Sequence, residues 1–219
     1  MAKEEQVIQF CIEAVVTGEH CGNSRRGSRR HAALSRYGIG LLGPGEGNDR
    51  PNLWPEAMRR LLDVTAHPRA QERFLDAWIR VPMTDLRRWT GNDDLFFAGL
   101  RVLLPNYDAR HAKPLTLYRG QLRGEPIGVS WTRSVNTALR YALYGSANVK
   151  GRPKALARRR GPRAGAVMMC AEVEPQDIIC APCLLGYDDA GYIIDPRNLT
   201  PTTWPASDMR PSDPQHMAV

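Results

Sequence analysis

Several things are scarce in this chain of 219 residues. No stretch approaches the roughly 20 apolar residues that a bilayer-spanning helix requires, so no membrane segment is expected. Cysteine is sparse: five residues, an odd set without the density of a small disulfide-stapled secreted fold. The expected compartment is a reducing cytoplasm, with the cysteines as thiols. The opening MAKEEQVIQFCIEAVV carries Glu4 and Glu5 and lacks a small-residue cleavage pattern, so no secretory signal is expected. There is no G-x-x-x-x-G-K-[ST] phosphate loop, no H-E-x-x-H and no G-x-S-x-G. These absences speak against nucleotide triphosphatases, zinc proteases and the common serine hydrolases. No internal repeat is present.

What is present is ordinary globular material with an excess of positive charge. Hydrophobic residues make up 42% and charged residues 24%, too apolar for a wholly disordered chain. The length suits one domain, or one domain with a helical extension. The formal net charge is +7, which draws the protein towards phosphates or acidic protein surfaces. Arg25, Arg26, Arg29, Arg30 and His31 form one basic cluster, and Lys150, Arg152, Lys154, Arg158, Arg159, Arg160 and Arg163 form another. Both lie among Gly, Ser and Pro and read as solvated loops, either solubilising segments or contacts to a phosphate or partner.

The first half reads as helical. Val7, Phe10, Cys11, Ala14 and Val15 recur at helical spacing within Glu4 to Val16. The stretch GPGEGNDRP from Gly43 is a strong breaker. Pro55 suits the first position of a helix whose apolar face is Met58, Leu61 and Leu62. A further helix over Pro68 to Ile79 should bury Phe74, Leu75, Trp78 and Ile79. Asn92 is an N-cap followed by Asp93 and Asp94, where the helix dipole favours carboxylates. That helix carries Leu95, Phe96, Leu100, Leu103 and Leu104, and Pro105 ends it.

In the second half, LTLYR (Leu115 to Arg119), GVSWT (Gly128 to Thr132), AVMMCAEV (Ala166 to Val173), Asp177 to Ala181 and Tyr192 to Asp195 read as strands. Ser134 should cap a helix through Tyr144 with Leu139, Ala142 and Leu143 facing inward. The expected class is α+β, helices first and then a small twisted sheet. Residues 1–110 form the helical region packed on the core, 111–200 the sheet domain, and 201–219 a flexible tail.

Four groups of residues could carry chemistry. Arg119, between Tyr118 and Gly120 at a strand end, is a phosphate fork, with the glycine allowing a ligand to approach. Strand alternation puts Ser130 and Thr132 on one face and Trp131 on the other, so the two hydroxyls can orient a ribose or a carboxylate. Asp188 and Asp189 are adjacent carboxylates in a turn. Cys180 and Cys183 have C-x-x-C spacing, but Cys11, Cys21 and Cys170 form no second pair and no metal site is expected.

Taken in order, Leu117-Tyr118-Arg119-Gly120-Gln121, then Gly128-Val129-Ser130-Trp131-Thr132, then a helix with Ala138 and Tyr141, then Tyr192-Ile193-Ile194-Asp195-Pro196, the chain resembles the Arg–Ser–Glu class of mono-ADP-ribosyltransferases, in its bacterial and phage branch. The resemblance covers roughly Leu115 to Leu199. It implies a twisted sheet core of ADP-ribosyltransferase type. Arg119, with Tyr118 and Gly120 beside it, matches the arginine that grips the NAD phosphates. Ser130 matches the serine that orients the catalytic carboxylate, Thr132 completes its Ser-x-Thr element, and Trp131 packs behind. Tyr144 is a candidate nicotinamide platform.

The family's Glu-x-Glu or Gln-x-Glu lays its first position on Asp189 and its catalytic glutamate on Gly191, so the usual carboxylate is missing. Asp188 or Asp189 could serve in its place, as could Glu125, or the scaffold could bind without transferring. The resemblance therefore implies NAD-dependent ADP-ribosyl transfer onto a macromolecular acceptor, a protein before a nucleic acid, by a phage or bacterial effector, with residues 150–163 as a docking segment. The alternatives are NAD hydrolysis and a catalytically degenerate module that binds and inhibits a host protein or nucleic acid.

Overall fold

Proline and asparagine punctuate the helices where the sequence places them. A computed structural model describes residues 2–17, 52–80, 84–110, 112–145, 163–187 and 191–209. The basic cluster at 25–31, the breaker at 43–51, all of the second basic cluster except Arg163, and Asp188 and Asp189 lie outside the described residues. Among the described residues no helix is long and apolar enough to cross a membrane. The chain divides into two compact units, Met1–Asn106 and Tyr107–Val219.

The first unit contains α1 (Ala2–Thr17), α2 (Trp54–Leu61), α3 (Pro68–Arg80), α4 (Thr84–Thr90) and α5 (Asp93–Leu103). Helix α2 packs against α1, α4 and α5, and α3 packs against α1 and α5. Trp54, Met58, Phe74, Leu75, Phe96, Phe97 and Leu100 are buried there. Asn92 caps α5 as its sequence position predicts, its Oδ1 accepting from Leu95 N at 2.9 Å. At the other end of α5, the Gln71 amide donates to the carbonyls of Val102 and Leu104. It thereby satisfies groups that the helix itself cannot.

Two expectations change. Leu62 is 46% exposed, because α2 stops at Leu61 and Leu62 is its C-cap residue. Trp78, Ile79 and Leu95 are half-buried. Helix α4 buries Leu86 and stacks Trp89 on Trp54, and Arg87 pairs with Asp93 and lies over Phe97.

The second unit is mixed helix and sheet, with two small antiparallel sheets. One has the order β1 (Leu115–Leu122), β3 (Ala166–Val173), β6 (Thr202–Pro205); the other has β2 (Ser130–Trp131), β5 (Tyr192–Ile194), β4 (Ile178–Cys180). Helix α6 (Val135–Tyr144) lies against β1 and β3. Strand β6 corrects the expectation of a flexible tail from residue 201. Its sequence, TTWP, lacks apolar periodicity, but its backbone completes the edge of β3 from Val167–Pro205 to Cys170–Thr202.

Strand β1 has two working faces. Tyr118 faces a cluster with Ala138, Leu139 and Ala142 of α6. Leu117 faces a second cluster with Trp131, Val173, Ile178, Tyr192 and Ile194. A backbone bridge also joins the sheets, where Tyr118 and Thr132 exchange hydrogen bonds of 2.7 and 2.9 Å.

Candidate functional site

The Tyr118–Thr132 bridge puts the residue after Tyr118 beside the strand that precedes Thr132. Arg119 is half-buried, on the Leu117 face of β1. Its Nη1 donates to the main-chain carbonyl of Ser130 at 2.7 Å, and its Nε donates to Gln121 Oε1 at 2.8 Å. The guanidinium also lies against Gly128, where a Cβ would collide with Nη2, Cζ and Nε. Ser130 itself is exposed. Arg119 and Ser130 are thus side by side, joined through the serine's carbonyl.

Gln121 went unassigned in the sequence, and it organises this corner. It is 3% exposed. Its Oε1 accepts from Arg119 Nε and from Gly128 N (3.3 Å), and its Nε2 donates to the carbonyl of Glu125 (2.8 Å). The available signal was its spacing: two residues after Arg119, on the same strand face, an uncharged polar group in an otherwise inward-looking segment.

The other candidates have different places. Tyr118 (9% exposed) and Trp131 (2%) are core residues, Trp131 as expected and Tyr118 in place of a contact beside Arg119. Burial holds the Tyr118 hydroxyl above its ordinary pKa, with Cys170 adding to the effect. The Trp131 indole donates to Gly128 O at 2.9 Å. Gly120 does provide a close approach, but to the protein's own helix: a Cβ there would collide with Ala138 O and Ala142 N of α6. No ligand can use that space. Thr132 Oγ1 accepts from Ser134 N, and Ser134 Oγ accepts from Thr137 N, so Thr132 leads into the N-cap of α6. Tyr144 is an exposed residue of α6.

The position on which the resemblance lays a catalytic glutamate is Gly191. Strand β5 pairs with β2, Ser130 opposite Ile193 and Trp131 opposite Tyr192. Gly191, the residue before β5, therefore faces Thr132. It has φ +64° and a Cβ there would run into the carbonyl oxygen of Trp131. No side chain fits at this position while the backbone stays as it is. Glu125, the other acid considered, accepts from Leu122 N with Oε2, and its Oε1 is 4.0 Å from Arg163 Nη2. Its carboxylate is engaged at the end of β1. Asp195 is buried, pairs with Arg197 and caps the 3-10 turn Pro196–Asn198.

Cys180 and Cys183 are free thiols. Burial pushes the Cys180 thiol up to about 12, Cys183 adding to the effect, so Cys180 is a neutral packing group at ordinary pH. Among the described residues no three His, Cys, Asp or Glu side chains are grouped to hold a metal.

The donor set suits an oxyanion. A guanidinium offers five N–H groups in a plane and binds oxyanions through paired hydrogen bonds. Here its plane is fixed by Gln121 and Ser130, beside an exposed hydroxyl. No family model, curated protein or solved structure matches this chain.

Proposed function

We propose that this chain is an NAD-dependent mono-ADP-ribosyltransferase, of the Arg–Ser–Glu type in its sheet unit, that modifies a macromolecular acceptor in a bacterial or phage-infected cytoplasm. One observation carries this reading. Arg119 of β1 is hydrogen-bonded to Ser130 of β2, and β2 is paired on its other side with β5, the strand that follows Asp188 and Asp189. Arg119 and Ser130 thus lie side by side, and the strand paired with that of Ser130 is the one that follows Asp188 and Asp189 in sequence.

Bound NAD supplies an activated nicotinamide–ribose bond, whose cleavage builds positive charge on the ribose. Arg119 holds the phosphates. Ser130 orients the carboxylate. Asp188 or Asp189, three and two residues before Gly191, sets negative charge against the ribose. Aspartate is one methylene shorter than glutamate, and a misplacement of about 1 Å costs on the order of 100-fold in rate. An acid displaced along the chain from position 191 is consistent with that shorter reach. The acceptor is a protein, docked with help from the basic segment 150–163.

Incubating the protein with labelled NAD and lysate tests this. Wild type should label an acceptor, while Arg119→Ala and the double variant Asp188→Asn/Asp189→Asn should not. Equal absence of label in all three counts against transfer. Nicotinamide release by the purified protein alone would assign NAD hydrolysis instead.

Gly191 favours a second reading, a scaffold that has lost catalysis and inhibits a host protein or nucleic acid by binding. Such binding would be indifferent to NAD and to Arg119→Ala. If it were mainly to phosphates it would weaken steeply with salt.

A further inference from the structure

A helix that buries one face against a sheet ordinarily turns polar and charged groups to water on the other. Helix α6 turns out two aromatic rings and a single cation. It buries Ala138, Leu139 and Ala142 and leaves Arg140, Tyr141 and Tyr144 exposed. Tyr144 is four residues from Arg140 and three from Tyr141, so the three share one stripe of the helix. The helix sequence, VNTALRYALY, has no acidic residue.

That absence extends well beyond the helix. Between Glu125 and Glu172 the chain carries nine Lys or Arg and no Asp or Glu. Arg163, towards the end of this run, returns to the C-terminal end of α6. Its N donates to Leu143 O at 2.9 Å, and its guanidinium lies against Gly145, the residue after Tyr144. The positive run therefore leaves α6 at Gly145 and comes back to it at Arg163.

Rings and cations in this combination fit one class of partner. An acidic protein surface would use the positive charge and leave the tyrosine rings in water. A single strand of nucleic acid offers phosphates to the arginine and unpaired bases to the rings. We infer that the exposed stripe of α6, Arg140 with Tyr141 and Tyr144, is a binding surface for single-stranded nucleic acid. The tyrosines stack on bases and Arg140 takes a phosphate. The inference does not rest on the transferase reading, since no residue of the Arg119 corner takes part.

The test is fluorescence anisotropy of the full chain with labelled oligothymidylate and with an abasic strand of the same length, using polyglutamate as competitor. Wild type should bind oligothymidylate, less tightly as salt rises, and should bind the abasic strand about tenfold more weakly or worse. Tyr141→Ala/Tyr144→Ala should weaken oligothymidylate by a similar factor and leave the abasic strand unchanged. Tyr141→Phe/Tyr144→Phe, which keeps both rings, should bind as wild type does. Arg140→Ala should weaken both strands alike and reduce the salt slope by about one. Failure of wild type to bind, or equal affinity for the two strands, overturns the inference. Polyglutamate that displaces the label as well as unlabelled oligothymidylate does also overturns it, and would assign an acidic protein as the partner. Circular dichroism identifies a variant that has not folded, and the comparison of the two strands on wild type then carries the decision.

Discussion

The guanidinium of Arg119 occupies the space that a side chain at Gly128 would fill. Two residues nine apart in sequence are therefore mutually exclusive in size: the arginine lies where it does because residue 128 has no Cβ. Gly128→Ala should force the guanidinium off Gln121 and Ser130. The atoms displaced are the far end of a flexible side chain, so stability should change little, while NAD affinity should fall by about tenfold. Urea unfolding and an NAD titration measure the two effects. Unchanged affinity would mean that the resting place of Arg119 is not its ligand-binding place.

Placing a glutamate at position 191 should fail. Gly191→Glu puts a side chain on a backbone with φ +64° and against Trp131 O. The left-handed conformation alone costs about 1–2 kcal/mol for an L-residue, and the collision adds to it. The variant should unfold at lower urea than wild type and show no gain in NAD turnover. A gain would show that the turn before β5 rearranges to accept glutamate.

Alkaline pH should weaken the sheet unit through Cys180. Its folded pKa of about 12 stands above the ordinary value of 9.0. A raised folded pKa means that stability is full below pH 9, where both states hold the proton. Stability then falls as pH rises towards 12, because the unfolded chain ionises first. The fall is at most about 1.4 kcal/mol per pH unit for one group. Tyr118 and Tyr192, also raised mainly by burial, add to the same alkaline limb at higher pH. Cys180→Ala should flatten the earlier part of this decline, as read from urea midpoints at a series of pH values.

In the helical unit, Asn92→Ala should cost about 1 kcal/mol, the usual value of a side-chain N-cap. Its Oδ1 accepts from Leu95 N, one of the donors the first turn of α5 leaves without an intrahelical partner. A denaturant midpoint unchanged by this substitution would show that water replaces the cap at no cost.

Local chemistry was legible wherever a residue's own conformational preference settled its role. Asn92 and Ser134 were readable as caps because their side chains reach the backbone three residues on. Trp131 was readable as core from strand alternation. Strands β1 and β3 were readable from runs of apolar and β-branched residues. Strand β6 was not readable, because an edge strand needs only backbone groups to pair and TTWP carries no apolar alternation. Leu62 was misread because helical spacing says nothing about where a helix stops.

At the candidate site the division follows the same physics. The sequence by itself determined which chemistry was available, since Arg119, Ser130 and the Asp188–Asp189 turn are properties of residue type and order. Only the tertiary structure decided what each group meets. Gly120 had to be seen under α6 to be taken from a ligand contact to a helix contact, and Gly191 against Trp131 O to be seen as sterically closed. Gln121 had to be seen between Arg119 and Gly128 to be recognised at all. These are contacts between segments distant in the chain, and hydrophobic periodicity and turn propensity, being local, hold no information about them.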